Sequence, residues 1–223
     1  MEIILSGGGS GMNSLEIDKL FASLVNKSKP LLYIPIAIDK IKHPYSECLQ
    51  WLKQTFNYFG IKLYEIWSEE QLYQSKIIGP ENFGGIYIGG GNTFYLLKVL
   101  KESNFWNFLV KAVKKNIPIY GGSAGAIIFG RSILTSYDEN LVGLKDFSGM
   151  NLLKNMSLFC HFKLEKEGNI NEKLKNFHLG KIIALSERTG VYLKDDKIMI
   201  IGQEPAYLFS NKNKKKINVG QII

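Results

Sequence analysis

One stretch, residues 116–130, constrains the fold more tightly than any other part of the sequence. It reads NIPIYGGSAGAIIFG: a short apolar run, a cluster of glycines, and a segment suited to a helix. Glycines permit a turn too sharp for side chains, so the pattern predicts a strand that passes directly into a helix. Its centre matches G-x-S-x-G, which presents a serine hydroxyl at the end of a strand beside the next backbone N–H. We therefore predict that Ser123 is a nucleophile and that the N–H of Ala124 stabilises an oxyanion.

Apolar runs alternate with helix-compatible segments through the first half of the chain. Continuous apolar runs are typical of parallel strands buried on both faces, and strand–helix alternation indicates a sheet covered by helices on both sides. We expect an α/β protein with a three-layer, doubly wound, mostly parallel sheet, as in flavodoxin-like folds. The predicted strands are residues 2–5, 30–37, 61–66, 83–88 and 117–120, and the predicted helices are residues 15–25, 47–59, 94–100 and 105–114, with a short one from residue 68.

Two further glycine-rich turns follow predicted strands. Residues 6–11 read SGGGSG and residues 89–93 read GGGNT. The first departs from the G-x-G-x-x-G dinucleotide fingerprint, and the second has no lysine for a phosphate-binding P-loop. Ligands of open parallel sheets bind at the carboxyl ends of the strands, where helix N-termini attract anions. We therefore expect the turn at 89–93 to hold an anion or oxyanion and to face the serine turn.

After residue 130 the sequence changes to short apolar runs separated by turn residues. It predicts strands at residues 132–135, 157–162, 181–185, 191–193, 198–202 and 206–209, and a partly helical segment at 164–177. At 223 residues the chain suits one well-buried core. We expect a single catalytic domain over residues 1–223, with a β-rich C-terminal part packed against the edge of the sheet.

Composition limits the classes of function. The N-terminus lacks a basic segment, and the two cysteines, Cys48 and Cys160, form neither a disulfide nor a metal-binding pattern, so we expect a cytoplasmic protein. The net charge of +8 comes mostly from scattered lysines, because only Arg131 and Arg188 are arginines; the one dense lysine run is residues 212–216. We expect no nucleic-acid or membrane partner, no metal or cofactor, and a monomer or a homodimer.

A serine nucleophile needs a base, and the base needs an acid to orient it. Among the three histidines, His161 ends an apolar run whose buried neighbours would fix its ring, whereas His43 and His178 lie in polar segments. We predict that His161 is the base. Asp138 and Glu187 each follow a predicted strand, and both remain candidates for the acid.

The order and spacing of these motifs resemble a known family. GGGNT at 89–93, GGSAGA at 121–126, Asp138 fifteen residues beyond Ser123, CHF at 160–162 and ALSERTGVYL at 184–193 are similar to the peptidase E (aspartyl dipeptidase) and cyanophycinase family of serine peptidases. The resemblance spans almost the whole chain. It implies a fold like that of class I glutamine amidotransferases, with a serine replacing their elbow cysteine.

The resemblance also implies catalytic roles by motif match. Ser123 would be the nucleophile, His161 the general base and Asp138 the acid. Glu187 matches a glutamate near the site in several members and is the alternative acid. No metal or cofactor is implied.

Substrate-binding roles follow from the same match. Gly91 would supply an oxyanion N–H beside that of Ala124, and Asn92 would border the substrate. Family members that recognise acidic N-terminal residues carry arginines shortly after the histidine, whereas this chain has only lysines at 163, 166, 173 and 175. A lysine neutralises a carboxylate but lacks the bidentate geometry of arginine.

We therefore expect a serine peptidase that hydrolyses short peptides, dipeptidase-like, with an acidic N-terminal residue among its candidate specificities. Two alternatives remain at this point. One is another amidohydrolase or amidotransferase-like enzyme on the same fold. The other is a non-catalytic protein that binds a small ligand at its glycine turns, in which case the serine turn is merely tight.

Overall fold

The computed structural model describes residues 1–74, 78–211 and 213–223. The strands in chain order are β1 (Glu2–Ser6), β2 (Leu31–Ile34), β3 (Tyr64–Ile66), β4 (Gly85–Ile88), β5 (Ile119–Gly122), β6 (Met156–Phe159), β7 (Lys181–Ala184), β8 (Thr189–Lys194), β9 (Lys197–Gly202), β10 (Ala206–Ser210) and β11 (Lys214–Ile217). The helices are α1 (Leu15–Leu24), α2 (Tyr45–Phe56), α3 (Glu69–Tyr73), α4 (Thr93–Glu102), α5 (Phe105–Lys114), α6 (Ala124–Ile127) and α7 (Glu167–Asn176). In this part of the chain, no helix combines the length and apolar character needed to cross a membrane.

A seven-stranded sheet forms the centre of the structure. Its order is β3-β2-β4-β5-β1-β8-β9. The first five strands are parallel to one another, whereas β8 is antiparallel to both of its neighbours, β1 and β9. The side chains of the parallel strands alternate between two buried clusters, as expected for a sheet covered on both faces. The α/β fold with a mostly parallel sheet is therefore confirmed. Helices α1 and α2 contribute to one cluster, and α4 and α5 to the other.

Three neighbouring parallel strands carry a tyrosine at the same register. Tyr33 of β2 pairs with Tyr87 of β4, which pairs with Tyr120 of β5. All three point to the face covered by α1 and α2, where Tyr87 and Tyr120 stack with ring centres 4.5 Å apart. An aromatic ridge thus runs under the carboxyl-end edge of the sheet, next to the serine turn.

A second, smaller sheet is built by the C-terminal third. Its order is β11-β10-β7-β6, with β6 and β7 parallel and the remaining pairs antiparallel. The predicted β-rich C-terminal part is present, but β8 and β9 extend the central sheet instead of packing against its edge. The edge strand β11 forms from the lysine run; Lys212 lies outside the described residues.

The strand predicted at residues 132–135 is wrong. This segment makes only an isolated antiparallel bridge, between Ser132 and Ser148. The backbone N–H of Ile133 donates to the carbonyl of Phe147 in a loop, and that of the preceding Arg131 donates to the carbonyl of Met156 at the start of β6. Apolar character alone did not distinguish a strand from a buried segment that follows loops of the chain.

Candidate active site

The serine turn adopts the geometry that its glycines predict. Ser123 has φ 52° and ψ −112°, a conformation that costs a non-glycine residue about 1–3 kcal/mol and persists where the surroundings enforce it. A Cβ on Gly121 would lie 2.3 Å from the carbonyl oxygen of Gly125, and one on Gly125 would lie 2.3 Å from that of Ile88. Helix α6 therefore packs too closely against the ends of β5 and β4 for a side chain at either glycine.

A continuous chain of hydrogen bonds links Ser123, His161 and Glu187. The Oγ of Ser123 lies 2.8 Å from Nε2 of His161, and Nδ1 of the same ring lies 3.0 Å from Oε1 of Glu187. The histidine and glutamate side chains are 39% and 47% exposed, so the site opens to solvent. This is the arrangement in which a ring activates a hydroxyl while a carboxylate fixes its tautomer.

The first glycine-rich turn packs against His161 and Glu187, a role that was not predicted from the sequence. The carbonyl of Gly7 accepts the backbone N–H of His161 at 2.9 Å. A Cβ on Gly8 would lie 2.3 Å from Cε1 and 2.5 Å from Nε2 of the His161 ring, and one on Gly9 would lie 2.0 Å from the carbonyl oxygen of Glu187. Three successive glycines after the first strand were the available signal that something approaches this backbone closely.

Asp138, the other candidate acid, lies elsewhere in the site. Its Oδ2 accepts the backbone N–H of Thr93 at 2.7 Å, the Thr93 hydroxyl at 2.6 Å and the Ser136 hydroxyl at 2.6 Å. Asp138 therefore binds the N-terminus of α4, where the helix dipole favours a negative charge. Within the part of the chain that is described, it makes no hydrogen bond to His161.

The predicted oxyanion donors lie beside the serine. A Cβ on Gly90 would lie 3.1 Å from Cβ of Ser123, so the GGGNT turn faces the serine turn. The N–H groups of Gly91 and Ala124 have no hydrogen-bond acceptor among the described residues. Gly91 has φ 134°, and a Cβ there would lie 2.0 Å from the carbonyl oxygen of Ala37, so this turn also requires glycine.

Asn92 is occupied by structural contacts. Its side-chain oxygen accepts the backbone N–H of Tyr95 at 2.9 Å and caps α4, and its amide donates to the carbonyl of Glu139 at 3.0 Å. The residues that line the two cavities at Ser123 do not include Asn92.

The remaining histidines and cysteines do not extend the hydrogen-bonded chain. His43 and His178 are exposed and lie outside it. Cys160 is buried beside His161, and its Sγ lies 3.7 Å from the carbonyl oxygen of Ser123. Burial raises the pKa of its thiol to about 12, so this cysteine stays protonated near neutral pH.

Two cavities meet at Ser123. The first, which we name the polar pocket, has a volume of about 280 Å³ and includes Gly91, Thr93, Thr135, Ser136, Tyr137, Asp138 and His161 in its lining. The second, which we name the aromatic pocket, has a volume of about 460 Å³ and includes Gly8, Tyr33, Ile38, His43, Glu47, Cys48, Trp51 and Tyr87. The sequence analysis identified neither the pocket aromatics nor Thr135.

Comparisons with known proteins identify the family of this chain. The sequence model of Peptidase family S51 matches residues 3–201. Peptidase E of Shewanella denitrificans (strain OS217) is 28% identical over 201 residues, which cover 86% of this chain and 83% of that protein. Peptidase E of Shewanella putrefaciens (strain CN-32) is 30% identical over 142 residues, only 60% of either chain.

A solved structure shows the same fold. The crystal structure of a peptidase from an acI-B1 Actinobacterium superposes with a TM-score of 0.72 at 18% identity, covering 100% of this chain and 96% of that one. Fold and family together define a serine peptidase. The chain belongs to Peptidase family S51, and the resemblance to peptidase E found in its sequence is confirmed.

Proposed function

We propose that this protein hydrolyses short peptides through a triad of Ser123, His161 and Glu187. The hydrogen-bonded chain from the Ser123 hydroxyl through the His161 ring to the Glu187 carboxylate carries the proposal. Ser123 Oγ attacks the scissile carbonyl, while Nε2 of His161 takes the hydroxyl proton and later donates it to the leaving amine. Water then releases the acyl group by the same route, and Glu187 stabilises the imidazolium at each step.

The N–H groups of Gly91 and Ala124 are the proposed oxyanion donors. Neither has an acceptor within the described residues, and both belong to turns that flank Ser123. Donors fixed in this way stabilise the tetrahedral intermediate by about 3 kcal/mol each. They supply the electrostatic part of catalysis, whereas the triad supplies the proton transfers.

We assign Asp138 to substrate binding in the polar pocket. Its Oδ2 is saturated by Thr93 and Ser136, but its Oδ1 has no donor among the described residues. Thr135, 1% exposed, lines the same pocket with a hydroxyl that lacks a partner there. A carboxylate and a free hydroxyl suit the α-ammonium group of a peptide's first residue. The enzyme would therefore remove N-terminal residues, as a dipeptidase does.

An acidic N-terminal residue would meet the ammonium group of Lys166 near this pocket. Nζ of Lys166 lies 4.7 Å from the ring centre of Tyr137, which lines the polar pocket. Lys173, the other nearby lysine, is held by the carbonyl oxygens of Leu134 and Ser136. A single ammonium is a point charge without a bidentate fork. We therefore expect a several-fold preference for Asp-Leu over Ala-Leu rather than strict aspartyl specificity. Action on free dipeptides suits the cytoplasmic location predicted from the sequence, which cell fractionation would test.

Hydrolysis of a dipeptide panel tests the proposal directly. The S123A variant should lose activity, and E187Q should lower kcat on the order of 100- to 10,000-fold because the imidazole loses its orienting charge. D138N should instead raise KM for free dipeptides more than it lowers kcat. N-acetylated dipeptides, which lack the ammonium group, should be poor substrates of the wild type.

Three outcomes would contradict parts of the proposal. Equal hydrolysis by the wild type and S123A would remove the peptidase function. An E187Q enzyme with full kcat beside an inactive D138N enzyme would move the acid role to Asp138. Rapid cleavage of N-acetylated peptides would leave the triad in place and refute the N-terminal recognition.

A further inference from the structure

The larger cavity at Ser123 has a wall of aromatic rings. Trp51 lies 5.9 Å from Tyr87 and Tyr33 lies 5.4 Å from Tyr87, both edge-to-face between ring centres. Ile38 and Cys48 complete the apolar part of the lining. A volume of about 460 Å³ lies within the range of small-molecule sites. The pocket can therefore receive a large apolar side chain against preformed aromatic edges.

Two glycines beside this pocket leave room for the hydroxyl groups of its tyrosines. A Cβ on Gly89 would lie 3.3 Å from the Tyr33 hydroxyl, and one on Gly122 would lie 3.3 Å from the Tyr87 hydroxyl. Tyr33 and Tyr87 are 4% and 6% exposed, and they rest on neighbouring strands of the central sheet. The rings are thus fixed by the sheet and do not need to rearrange when a substrate binds.

The proposed ammonium site determines which part of the substrate reaches this pocket. The leaving amine must receive its proton from Nε2, which lies 2.8 Å from the Ser123 hydroxyl, and both cavities include Ser123 in their lining. Gly8 packs against the Nε2 and Cε1 edge of the ring, with a hypothetical Cβ 2.5 Å and 2.3 Å away, and Gly8 lines the aromatic pocket. The polar pocket, which His161 also lines, holds Asp138 and the proposed site for the ammonium group of the acyl residue, so the aromatic pocket is left for the leaving residue.

The charge of the lining residues determines which class of substrate side chain the aromatic pocket can accept. Glu47 lies at the exposed mouth of the aromatic pocket, and neither lysine nor arginine belongs to its lining. A carboxylate side chain would meet this negative charge and would lose hydration in a largely apolar lining, where His43 is the one described side chain that can become positively charged. An uncharged aromatic or large aliphatic side chain would gain buried contact without such a cost.

We propose that the aromatic pocket selects the leaving residue, and that this residue is aromatic or large and aliphatic. This inference rests on the proposed dipeptidase function and adds the chemical class of the residue on the far side of the scissile bond. Trp51 is its main specificity-determining residue, because it forms the wall that is not part of the central sheet.

The test compares Ala-Phe, Ala-Leu, Ala-Asp and Ala-Gly, with Phe-Ala as the reversed sequence. The kcat/KM of the wild type for Ala-Phe should exceed that for Ala-Gly and Ala-Asp by roughly 10- to 100-fold, the discrimination that a buried apolar pocket provides. Ala-Phe should also exceed Phe-Ala. Repeating the series with Asp as the first residue checks that the preference belongs to the leaving side.

Two variants and a matched control assign the preference to the pocket. W51A should reduce the Ala-Phe to Ala-Gly ratio at least about fivefold, since the ring supplies one wall of the contact. Y58A removes an aromatic side chain that is 89% exposed just after the same helix, and it should leave the ratio unchanged. I38W fills the pocket from a loop, so it should lower the ratio even if W51A does not fold.

Separate results overturn the inference and the proposed function. If the wild type cleaves the panel in a Ser123-dependent way but Ala-Gly is as good as Ala-Phe, only the inference fails. A preference for Phe-Ala places the aromatic pocket on the acyl side and overturns the assignment to the leaving residue. An unchanged ratio in folded W51A and I38W also refutes it, whereas absence of any Ser123-dependent hydrolysis refutes the proposed function itself.

Discussion

Replacing Asp18 by asparagine should stabilise the protein at neutral pH and leave its stability nearly unchanged in acid. Asp18 lies on α1 and is 4% exposed, and its Oδ2 accepts the Ser14 hydroxyl at 2.7 Å. Burial raises the pKa of its carboxyl from 3.8 to about 6, although the hydroxyls of Ser14 and Tyr120 partly offset the effect. The folded protein therefore contains a buried negative charge above this pH.

The magnitude follows from the difference between the two pKa values. Between pH 3.8 and about 6 the native state binds more protons at Asp18 than the unfolded state does, so the free energy of unfolding falls as pH rises. A shift of about two units corresponds to about 3 kcal/mol, which the wild type loses in full above the folded pKa. The asparagine side chain of D18N carries no charge at any pH in this range, and its oxygen can still accept the Ser14 hydroxyl.

Urea unfolding of the wild type and D18N at pH 3.5, 5, 6.5 and 8 measures this difference. The stability of D18N relative to the wild type should rise by about 3 kcal/mol from the lowest to the highest pH, equivalent to a shift of about 6–12 °C in Tm. E16Q, on the exposed side of the same helix, controls for the loss of one carboxylate. A difference between D18N and the wild type that stays constant with pH would refute the reasoning.

Three further substitutions test close contacts at the site. G8A should lower kcat on the order of 100-fold, because its Cβ would lie 2.3 Å from Cε1 of His161. The control is G168A, whose Cβ would lie in open space on α7; it should keep activity and raise the free energy of unfolding by up to about 1 kcal/mol. T135V should keep or raise Tm, because it removes a buried hydroxyl that has no partner among the described residues. The same variant should raise KM for free dipeptides. An unchanged KM would exclude Thr135 from substrate binding. G125A should lower the free energy of unfolding by about 1–3 kcal/mol, measured in urea, because its Cβ would lie 2.3 Å from the Ile88 carbonyl oxygen; wild-type stability would contradict that contact.

The parallel half of the fold could be predicted because its signals are local. Each of its strands is an apolar run that is followed by a turn and by apolar residues at helical spacing. The spacing of apolar residues and the order of the segments therefore suffice to predict it. The C-terminal half could not be predicted to the same extent. Whether β8 pairs with β1 or with β7 depends on which edge is free after the parallel strands have assembled, and no short pattern encodes that choice.

The site was predictable to the extent that its parts lie at strand ends. Ser123 and His161 both follow apolar strands, and the structure places them 2.8 Å apart. The choice between Asp138 and Glu187 was not accessible, because both carboxylates follow apolar segments and only the second sheet brings Glu187 to the ring. The motif match alone favoured Asp138, whose Oδ2 accepts the backbone N–H of Thr93 at the start of α4.

The aromatic pocket had a signal in the sequence that was not used. Tyr33, Tyr87 and Tyr120 each interrupt an otherwise aliphatic strand near its carboxyl end. Strands of a sheet that is buried on both faces are typically aliphatic, so a tyrosine in each of three parallel strands indicates a shared aromatic surface. Only the register, which aligns them side by side, shows that the surface is continuous.

The members of the proposed triad come from both sheets. Ser123 follows β5 of the central sheet, whereas His161 follows β6 and Glu187 follows β7 of the smaller one. The glycine-rich turn after β1 of the central sheet joins the two, because the Gly7 carbonyl accepts the backbone N–H of His161, which follows β6 of the smaller sheet. A subglobal opening that separates the sheets would therefore abolish the nucleophile–base contact while most helices remain folded. With increasing denaturant, enzymatic activity should then be lost before the helical circular dichroism signal. Activity would therefore report on the contact between the two sheets.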